Sequence, residues 1–300
     1  PHLFSTVNEF ADQLVSKEFS GKYSPLQVAH WLERLAQGAT SHLQRARGAV
    51  KPPGSPAFHR LRIDVVAQSG IGRHLAHKLR AGVAFALAER LDDPAALQEA
   101  IKHYRLARDS WAEIVEVTKG AYKDDLIFDV ETRPYLRGSW ADRLPAIDED
   151  IAKLEALAKE QASSPKPHPA GKLTASELLK AALAAAAAPH RRPCEHVPPS
   201  SFRRGEPVVI EMSVPADWKI THARLHYRRV NHAEEVQVAD FGAGGTRYRQ
   251  TIPGAFTDSP FPLVYFFELR DSDGTAWFSP GLASDLSNQP YYVLRSQQTA

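Results

Sequence analysis

The sequence predicts a multidomain protein, in which an antiparallel helical bundle is followed by an antiparallel β-sandwich. In residues 1–162, apolar side chains recur at the spacing of amphipathic helices. In residues 194–300, short stretches of alternating apolar and polar side chains are separated by Pro, Gly and Asn, which is typical of antiparallel strands. Between them, residues 163–193 are rich in Pro and Ala and predict a linker that contains a short helix.

Five helices are predicted in the first half. Three of them begin where a capping Ser or Asp precedes a proline, at Pro25, Pro56 and Pro94. A short helix over about 7–19 precedes these, and a last helix over about 139–161 follows them. Because long amphipathic helices joined by short breaks must bury their apolar stripes against one another, we expect an antiparallel bundle.

The second half predicts about seven short strands. Val208, Ile210 and Met212 share one face of the first of them, and the residues between them point the other way. Tyr265 and Phe267 share one face of a later, aromatic-rich strand. This number of strands at this spacing favours a sandwich of two antiparallel sheets.

Residues 261–281, FPLVYFFELRDSDGTAWFSPG, resemble the late hairpin of immunoglobulin-like and fibronectin type III-like modules. In those modules an aromatic-rich strand ends in an Asp-Gly turn. The resemblance covers residues 194–300 and implies the fold of the second domain, with Tyr265 as a candidate corner tyrosine. It implies nothing specific about function, and the Cys-Trp-Cys core of antibody domains is absent.

The order of bundle, linker and sandwich resembles the C-terminal accessory regions of large bacterial carbohydrate-active enzymes. The resemblance implies a non-catalytic accessory region whose partner is an upstream catalytic domain, in a parent protein that is a glycoside hydrolase. It transfers no catalytic residue. The chain begins at Pro1 and contains one methionine, Met212, so we expect a C-terminal fragment, and we favour an exported, periplasmic or extracellular, location.

Composition argues against several classes of protein. The 37 basic and 35 acidic side chains give a net charge of +2 and are interleaved, whereas a nucleic-acid-binding domain usually shows a basic stripe. The single cysteine, Cys194, excludes an internal disulfide and a thiolate-rich zinc site. No apolar stretch is long enough for a membrane span, and no motif for a nucleotide cofactor occurs, so we expect no cofactor and no metal.

The connection between the third and fourth long helices carries the leading candidates for ligand binding. It mixes aromatic rings with charged groups, a combination that suits sugar recognition, although a loop that seals one end of the bundle is the alternative. A second candidate surface on the sandwich contains Arg228 and Trp277. The candidates in the connection are Asp129, Glu131, Arg133, Tyr135, Arg137 and Trp140.

Other groups of residues favour structural roles. His74 and His77 share a helix face, but a metal site needs further ligands nearby, so we expect hydrogen-bonded or solvated histidines. Cys194 and His196 are interpreted as part of the linker, and residues 148–153, which begin with three acidic side chains, as a solvated face.

Two further features have two interpretations each. Gly70 and Gly72 inside the second long helix predict a kink or a close helix crossing, and the approach of a ligand is the alternative. The basic strand that contains Arg224, His226 and Arg228 is interpreted as an exposed sheet face, and contact with an acidic polysaccharide or with the bundle is the alternative.

Three functions follow from these observations. The leading hypothesis is a non-catalytic accessory region with weak glycan contact. The second is an adhesion or protein-interaction module of the cell envelope. The third is an enzyme whose site lies in the connection over residues 123–140.

Overall fold

The computed structural model describes residues 3–50, 55–127, 137–163, 173–187, 192–231, 233–242 and 245–297. Their contacts divide the chain into two compact units. The helical unit comprises Thr6–Asp12 and Ser24–Ala187, and the strand unit comprises Pro1–Ser5, Gln13–Tyr23 and Ala188–Ala300. The predicted domain bounds at residues 162 and 194 stay a prediction.

The helices begin where the sequence predicts. The hydroxyl of Ser24 accepts a hydrogen bond from the backbone N–H of Gln27, whose side chain in turn accepts from the N–H of Ser24. Asp93 caps the helix that begins at Pro94, because its carboxylate accepts hydrogen bonds from the backbone N–H groups of Ala95 and Ala96. The helices are α1 (Val7–Ser16), α2 (Pro25–Ala49), α3 (Pro56–Leu91), α4 (Pro94–Thr118), α5 (Leu144–Ser163), α6 (Ala175–Ala186) and α7 (Gly254–Thr257).

Helix α3 lies at the centre of the helical unit, where it contacts α2, α4 and α6. A Cβ atom added at Gly70 would lie 2.5 Å from Cγ1 of Ile114 on α4, and one added at Gly72 would lie 3.4 Å from the carbonyl oxygen of Leu32 on α2. The two glycines therefore allow close helix crossings on both sides of α3, as expected. No helix in the described part of the chain is long and apolar enough to cross a membrane.

The strands are antiparallel and form one small hairpin in the helical unit and two sheets in the strand unit. One sheet pairs β3 with β6, and the other has the order β5-β4-β7-β8, with β9 also paired to β7. The strands are β1 (Leu126–Ile127), β2 (Arg137–Gly138), β3 (Val208–Ser213), β4 (Ile220–Arg229), β5 (Gln237–Asp240), β6 (Arg247–Ile252), β7 (Leu263–Asp271), β8 (Ala276–Ser279) and β9 (Tyr292–Leu294).

A single hydrophobic cluster contains side chains from both sheets of the strand unit. Ile210 of β3 and Ile252 of β6 come from one sheet, and Leu225 of β4 with Tyr265 and Phe267 of β7 come from the other. The alternation predicted for β3 is confirmed, because Val208, Ile210 and Met212 are buried and the residues between them are not. The chain therefore has a mixed fold of helices and antiparallel strands.

The strand unit also includes a segment from the N-terminal part of the chain. The guanidinium of Arg270 on β7 donates to the carbonyl oxygen of Phe19 at 2.5 Å. The ring of Tyr23 contacts the ring of Phe278 on β8, with a centroid distance of 6.2 Å. Residues 13–23 therefore belong with the strands, although they precede all the long helices in the chain.

Candidate functional site

Four of the eight predicted glycan-binding residues are described by the structure. Arg137 is the first residue of β2, Trp140 lies between β2 and helix α5, and Arg228 and Trp277 lie in the strand unit. The other four fall outside the described residues, and their proposed role stays a prediction. They are Asp129, Glu131, Arg133 and Tyr135.

The guanidinium of Arg137 is occupied by a carboxylate. Its Nε and Nη2 donate to the two carboxylate oxygens of Asp125 at 2.8 and 2.5 Å, which is the bidentate geometry that guanidinium and carboxylate groups favour. The hydrogen bonds from Arg137 hold the pKa of Asp125 below its usual value. A ligand that used the fork of Arg137 would have to displace this carboxylate.

Trp140 packs against Trp111 of helix α4. The indole N–H of Trp111 donates to the carbonyl oxygen of Trp140 at 2.7 Å, and the two ring centroids lie 5.3 Å apart. The ring of Trp111 also contacts the ring of buried His74, whose Nδ1 lies 2.9 Å from the carbonyl oxygen of Ala107. We call Trp111 and Trp140 the helical tryptophan pair; both rings are half-buried.

Ion pairs and a tyrosine join helix α4 to the start of α5 beside this pair. Arg108 donates to both carboxylate oxygens of Asp148 at 2.8 and 3.2 Å, and the hydroxyl of Tyr104 donates to Asp150 at 2.9 Å. The hydrogen bonds from Arg108 lower the pKa of Asp148. Burial, followed by the bond to Asp150, raises the pKa of Tyr104 to about 12.

The interpretation of residues 148–150 as a solvated helix face is confirmed, because all three residues are exposed. Asp148 pairs with Arg108 of helix α4, whereas Lys153 lies 2.9 Å from Glu149 of its own helix. The bidentate partner of Asp148 lies on the neighbouring helix, which a pattern within one helix cannot reveal.

The structure does not bring Arg228 and Trp277 together. Trp277 belongs to the hydrophobic cluster, is only 5% exposed, and lies opposite Leu269 of β7. Arg228 follows Tyr227, which packs against that cluster, so by strand alternation it faces the opposite side of the sheet, where Val264 is its cross-strand neighbour. Glycan contact by either residue stays a prediction.

Cys194 is buried in the strand unit and His196 is half-buried there, and the sequence did not reveal this. The Sγ atom of Cys194 lies 3.1 Å from the hydroxyl of Ser279, and burial raises the pKa of the thiol. Nε2 of His196 lies 2.8 Å from the hydroxyl of Tyr265. Tyr265 as a candidate corner tyrosine was the one signal that could have predicted a buried partner for its hydroxyl.

His77 and His103 pack against each other in the helical unit. The rings of His77 and His103 stack with centroids 5.7 Å apart. Burial, with Arg80 and His77 as further causes, lowers the pKa of His103 to about 4. Among the described residues, no group of three or more His, Cys, Asp and Glu side chains is placed to hold a metal ion.

Comparisons with known proteins give only distant likenesses, and these are to solved structures. No family model and no curated protein matches this chain. Among solved structures, the chain is similar to a GH138 enzyme targeting pectin rhamnogalacturonan II, with 10% sequence identity and a TM-score of 0.47. The match covers 83% of this chain and 35% of that one, so the chain spans about a third of the length of that structure.

Proposed function

We propose that this chain is a non-catalytic accessory region of a larger carbohydrate-processing protein, a glycoside hydrolase whose catalytic domain lies elsewhere in the parent. In this proposal the helical unit is an antiparallel bundle that acts as a scaffold. The strand unit is an immunoglobulin-like or fibronectin type III-like sandwich. The contacts of α3 with three other helices support the first assignment, and the shared hydrophobic cluster of the two sheets supports the second.

The helical tryptophan pair is the observation that carries the proposal. The carbonyl oxygen of Trp140 accepts a hydrogen bond from the indole N–H of Trp111, and the guanidinium of Arg137 is hydrogen-bonded to the carboxylate of Asp125. Groups that satisfy one another in this way hold the start of α5 against α4 and favour a rigid scaffold over a mobile reaction centre.

The carboxylates beside the pair also favour a structural role. A general acid at neutral pH needs a carboxyl group with a raised pKa. The pKa of Asp148 is shifted the other way by the hydrogen bonds from Arg108, so Asp148 is held ionised and paired. This suits a residue that joins two helices.

Glycan contact in this proposal is shallow and weak. The part of the Trp140 ring that stays exposed offers an apolar face for a sugar ring, with Arg137 and the predicted contact Tyr135 nearby in the chain. A shallow site of this kind binds in the mM to μM range, which corresponds to about −4 to −8 kcal/mol.

Replacement of Trp140 distinguishes a structural role of the helical tryptophan pair from a role in glycan binding. We expect Trp140→Ala to lower the free energy of unfolding by about 2 kcal/mol or more, because it removes a large ring from its contact with Trp111. Urea unfolding measures the loss, and Trp31→Ala on helix α2 is the control for removal of another half-buried tryptophan. A Trp140→Ala protein with unchanged stability and no glycan binding by the wild type would contradict the scaffold proposal.

The reading frame that encodes this chain tests the accessory role independently. We expect the frame to continue upstream into a catalytic domain for carbohydrate substrates. A frame that encodes only these two units, or an upstream domain with a chemistry unrelated to carbohydrates, would overturn the proposal.

A further inference from the structure

A second pair of tryptophans lies in the strand unit. Trp218 ends the short 3-10 turn Ala216–Trp218 that joins β3 to β4, and Lys219 after it has a left-handed backbone with a φ of 47°. The ring of Trp218 meets the ring of Trp277 nearly edge-on, with centroids 5.6 Å apart and an interplanar angle of 75°. Trp277 is buried, whereas Trp218 is only half-buried, so part of the Trp218 indole faces solvent.

Trp277 is held in place by its hydrogen bond and its strand pairing, and two neighbouring side chains contact its ring. Its indole N–H donates to the carbonyl oxygen of Arg192 at 3.0 Å, and its backbone is held in the sheet opposite Leu269. The guanidinium carbon of Arg192 lies 5.2 Å from the Trp277 ring centroid, within the range of a cation–π contact. Trp218 and Arg192 therefore both contact one buried indole, which limits the distance between them.

The guanidinium of Arg192 is only lightly used by the described residues. Its side chain is 51% exposed, and its ion pair with Asp271, from Nη1, is 3.6 Å long, beyond hydrogen-bond distance. The other carboxylate oxygen of Asp271 already accepts from the backbone N–H groups of Asp273 and Thr275. Because a guanidinium carries five N–H donors, most of those on Arg192 are not taken up within the described part of the chain and can donate to a ligand or to water.

The residues beside Trp218 carry both signs of charge. Asp217 and Lys219 flank it in the chain and are exposed. A carboxylate accepts hydrogen bonds and an ammonium donates them. Sugar hydroxyls do both, so this mixed set matches a neutral sugar better than a strongly anionic one.

We propose that Trp218 and Arg192 form a binding site for a neutral oligosaccharide. One pyranose ring packs on the exposed part of the Trp218 indole, and the guanidinium of Arg192 donates to hydroxyl oxygens of the same or the adjacent sugar unit. Aromatic side chains with a few oriented polar groups are typical of small-ligand sites. The site deepens the proposed glycan contact and rests on it, and it adds a contact in the strand unit to the one proposed at Trp140.

Titration of the whole chain with defined oligosaccharides tests the site. The panel contains neutral gluco-, galacto- and manno-oligosaccharides and, as a separate arm, oligosaccharides of uronic acids, with affinities measured by calorimetry. We expect Trp218→Ala to weaken binding of a neutral ligand at least tenfold, Trp218→Phe to weaken it less, and Arg192→Gln to weaken it about threefold or more. Trp31→Ala, in the helical unit, is the matched control and should leave the affinity unchanged, and Trp140→Ala is measured beside it to report on the contact proposed at Trp140.

A chemical measurement on the wild type covers the case in which Trp218→Ala does not fold. N-bromosuccinimide oxidises exposed indoles, and peptide mass spectrometry identifies the residue that reacts. We expect the neutral ligand to slow oxidation of Trp218 at least severalfold and to leave oxidation of Trp31 unaffected.

The outcomes separate this site from the proposed function. Loss of binding in Trp140→Ala but not in Trp218→Ala would overturn the inference and leave the proposed function standing. Binding confined to the uronic-acid arm would overturn the neutral ligand class. Absence of all binding, or oxidation of Trp218 that no ligand slows, would overturn the site, while the accessory role would still be judged by the reading frame.

Discussion

The backbone N–H of Gly21 donates to a carboxylate oxygen of Glu268, at a distance of 2.9 Å. The other carboxylate oxygen lies 2.8 Å from Nε2 of His226 on the adjacent strand β4, and the His226 ring stacks on Phe266 with centroids 4.8 Å apart. One half-buried carboxylate thus joins an N-terminal segment to two strands that follow more than 200 residues later in the chain. This contact attaches the N-terminal segment to the rest of the strand unit.

A side chain at position 21 should damage this contact. A Cβ atom there would lie 2.9 Å from the carbonyl carbon of Trp277 and from the Phe278 ring, and the backbone carbon cannot move away cheaply. We expect Gly21→Ala to lower the free energy of unfolding of the strand unit by about 1–3 kcal/mol. Urea unfolding, followed by hydrogen exchange of the strand amides, measures the effect.

Gly38→Ala is the matched control for this substitution. Gly38 lies inside helix α2 with no atom within 4 Å of an added Cβ, so alanine should stabilise the helix by about 0.5–1 kcal/mol. Equal stability of Gly21→Ala and the wild type would show that the N-terminal segment does not pack against the strands.

The charge of Glu268 should make the strand unit sensitive to acid. Burial alone would raise the pKa of Glu268, but the hydrogen bonds from His226 and from Gly21 outweigh burial and lower it. Because the folded pKa lies below the unfolded one, the stabilisation is present at neutral pH and is lost as the pH falls below about 4.5. We expect Glu268→Gln to cost about 1–3 kcal/mol at pH 7 and to flatten the dependence of stability on pH below 4.5. A pH profile that keeps its slope in this variant would contradict the assignment.

His103 should give the helical unit a separate dependence on pH. Burial is the main cause that lowers its pKa to about 4, and the charges of Arg80, His77 and Lys102 act in the same direction, against Glu99. The unfolded chain therefore binds a proton between pH 6.5 and about 4 that the folded chain does not, so stability should fall as the pH falls through this range.

Replacement of His103 measures this contribution. Since the ring is partly exposed, we expect an effect of no more than about 2 kcal/mol after solvent screening. His103→Gln should reduce the loss of stability between pH 7 and 4, whereas His59→Gln, on the exposed start of α3, should leave it unchanged. Thermal melts over this pH range decide the question, and identical profiles for wild type and His103→Gln would be the contrary result.

Local signals explain which parts of the fold the sequence predicted. The helix starts at Pro25, Pro56 and Pro94 are determined by a capping residue and a proline that are adjacent in the chain, and the structure confirms them. The inward face of β3 follows from strand alternation alone. These features need no knowledge of distant residues.

Features that depend on distant partners were missed. The bond between His196 and Tyr265 joins residues 69 positions apart, and nothing local marks either as its partner. Trp277 was predicted to lie on the surface of the sandwich. The tight turn between β7 and β8 sets the pairing register of the two strands, and this register places Trp277 opposite Leu269. Since Leu269 shares the inward face of its strand with Phe267, this register could have predicted the burial of Trp277.

The measurement that tests the central claim most directly is the release of reducing sugar from a panel of oligosaccharides by the purified 300-residue chain. The account predicts no release above the buffer control, with wild type and Asp148→Asn giving the same result, because it assigns Asp148 to an ion pair with Arg108. Turnover by the wild type that disappears on replacement of Asp148, or of Asp129, Glu131 or Arg133 in the connection, would contradict the account and would identify the chain as an enzyme.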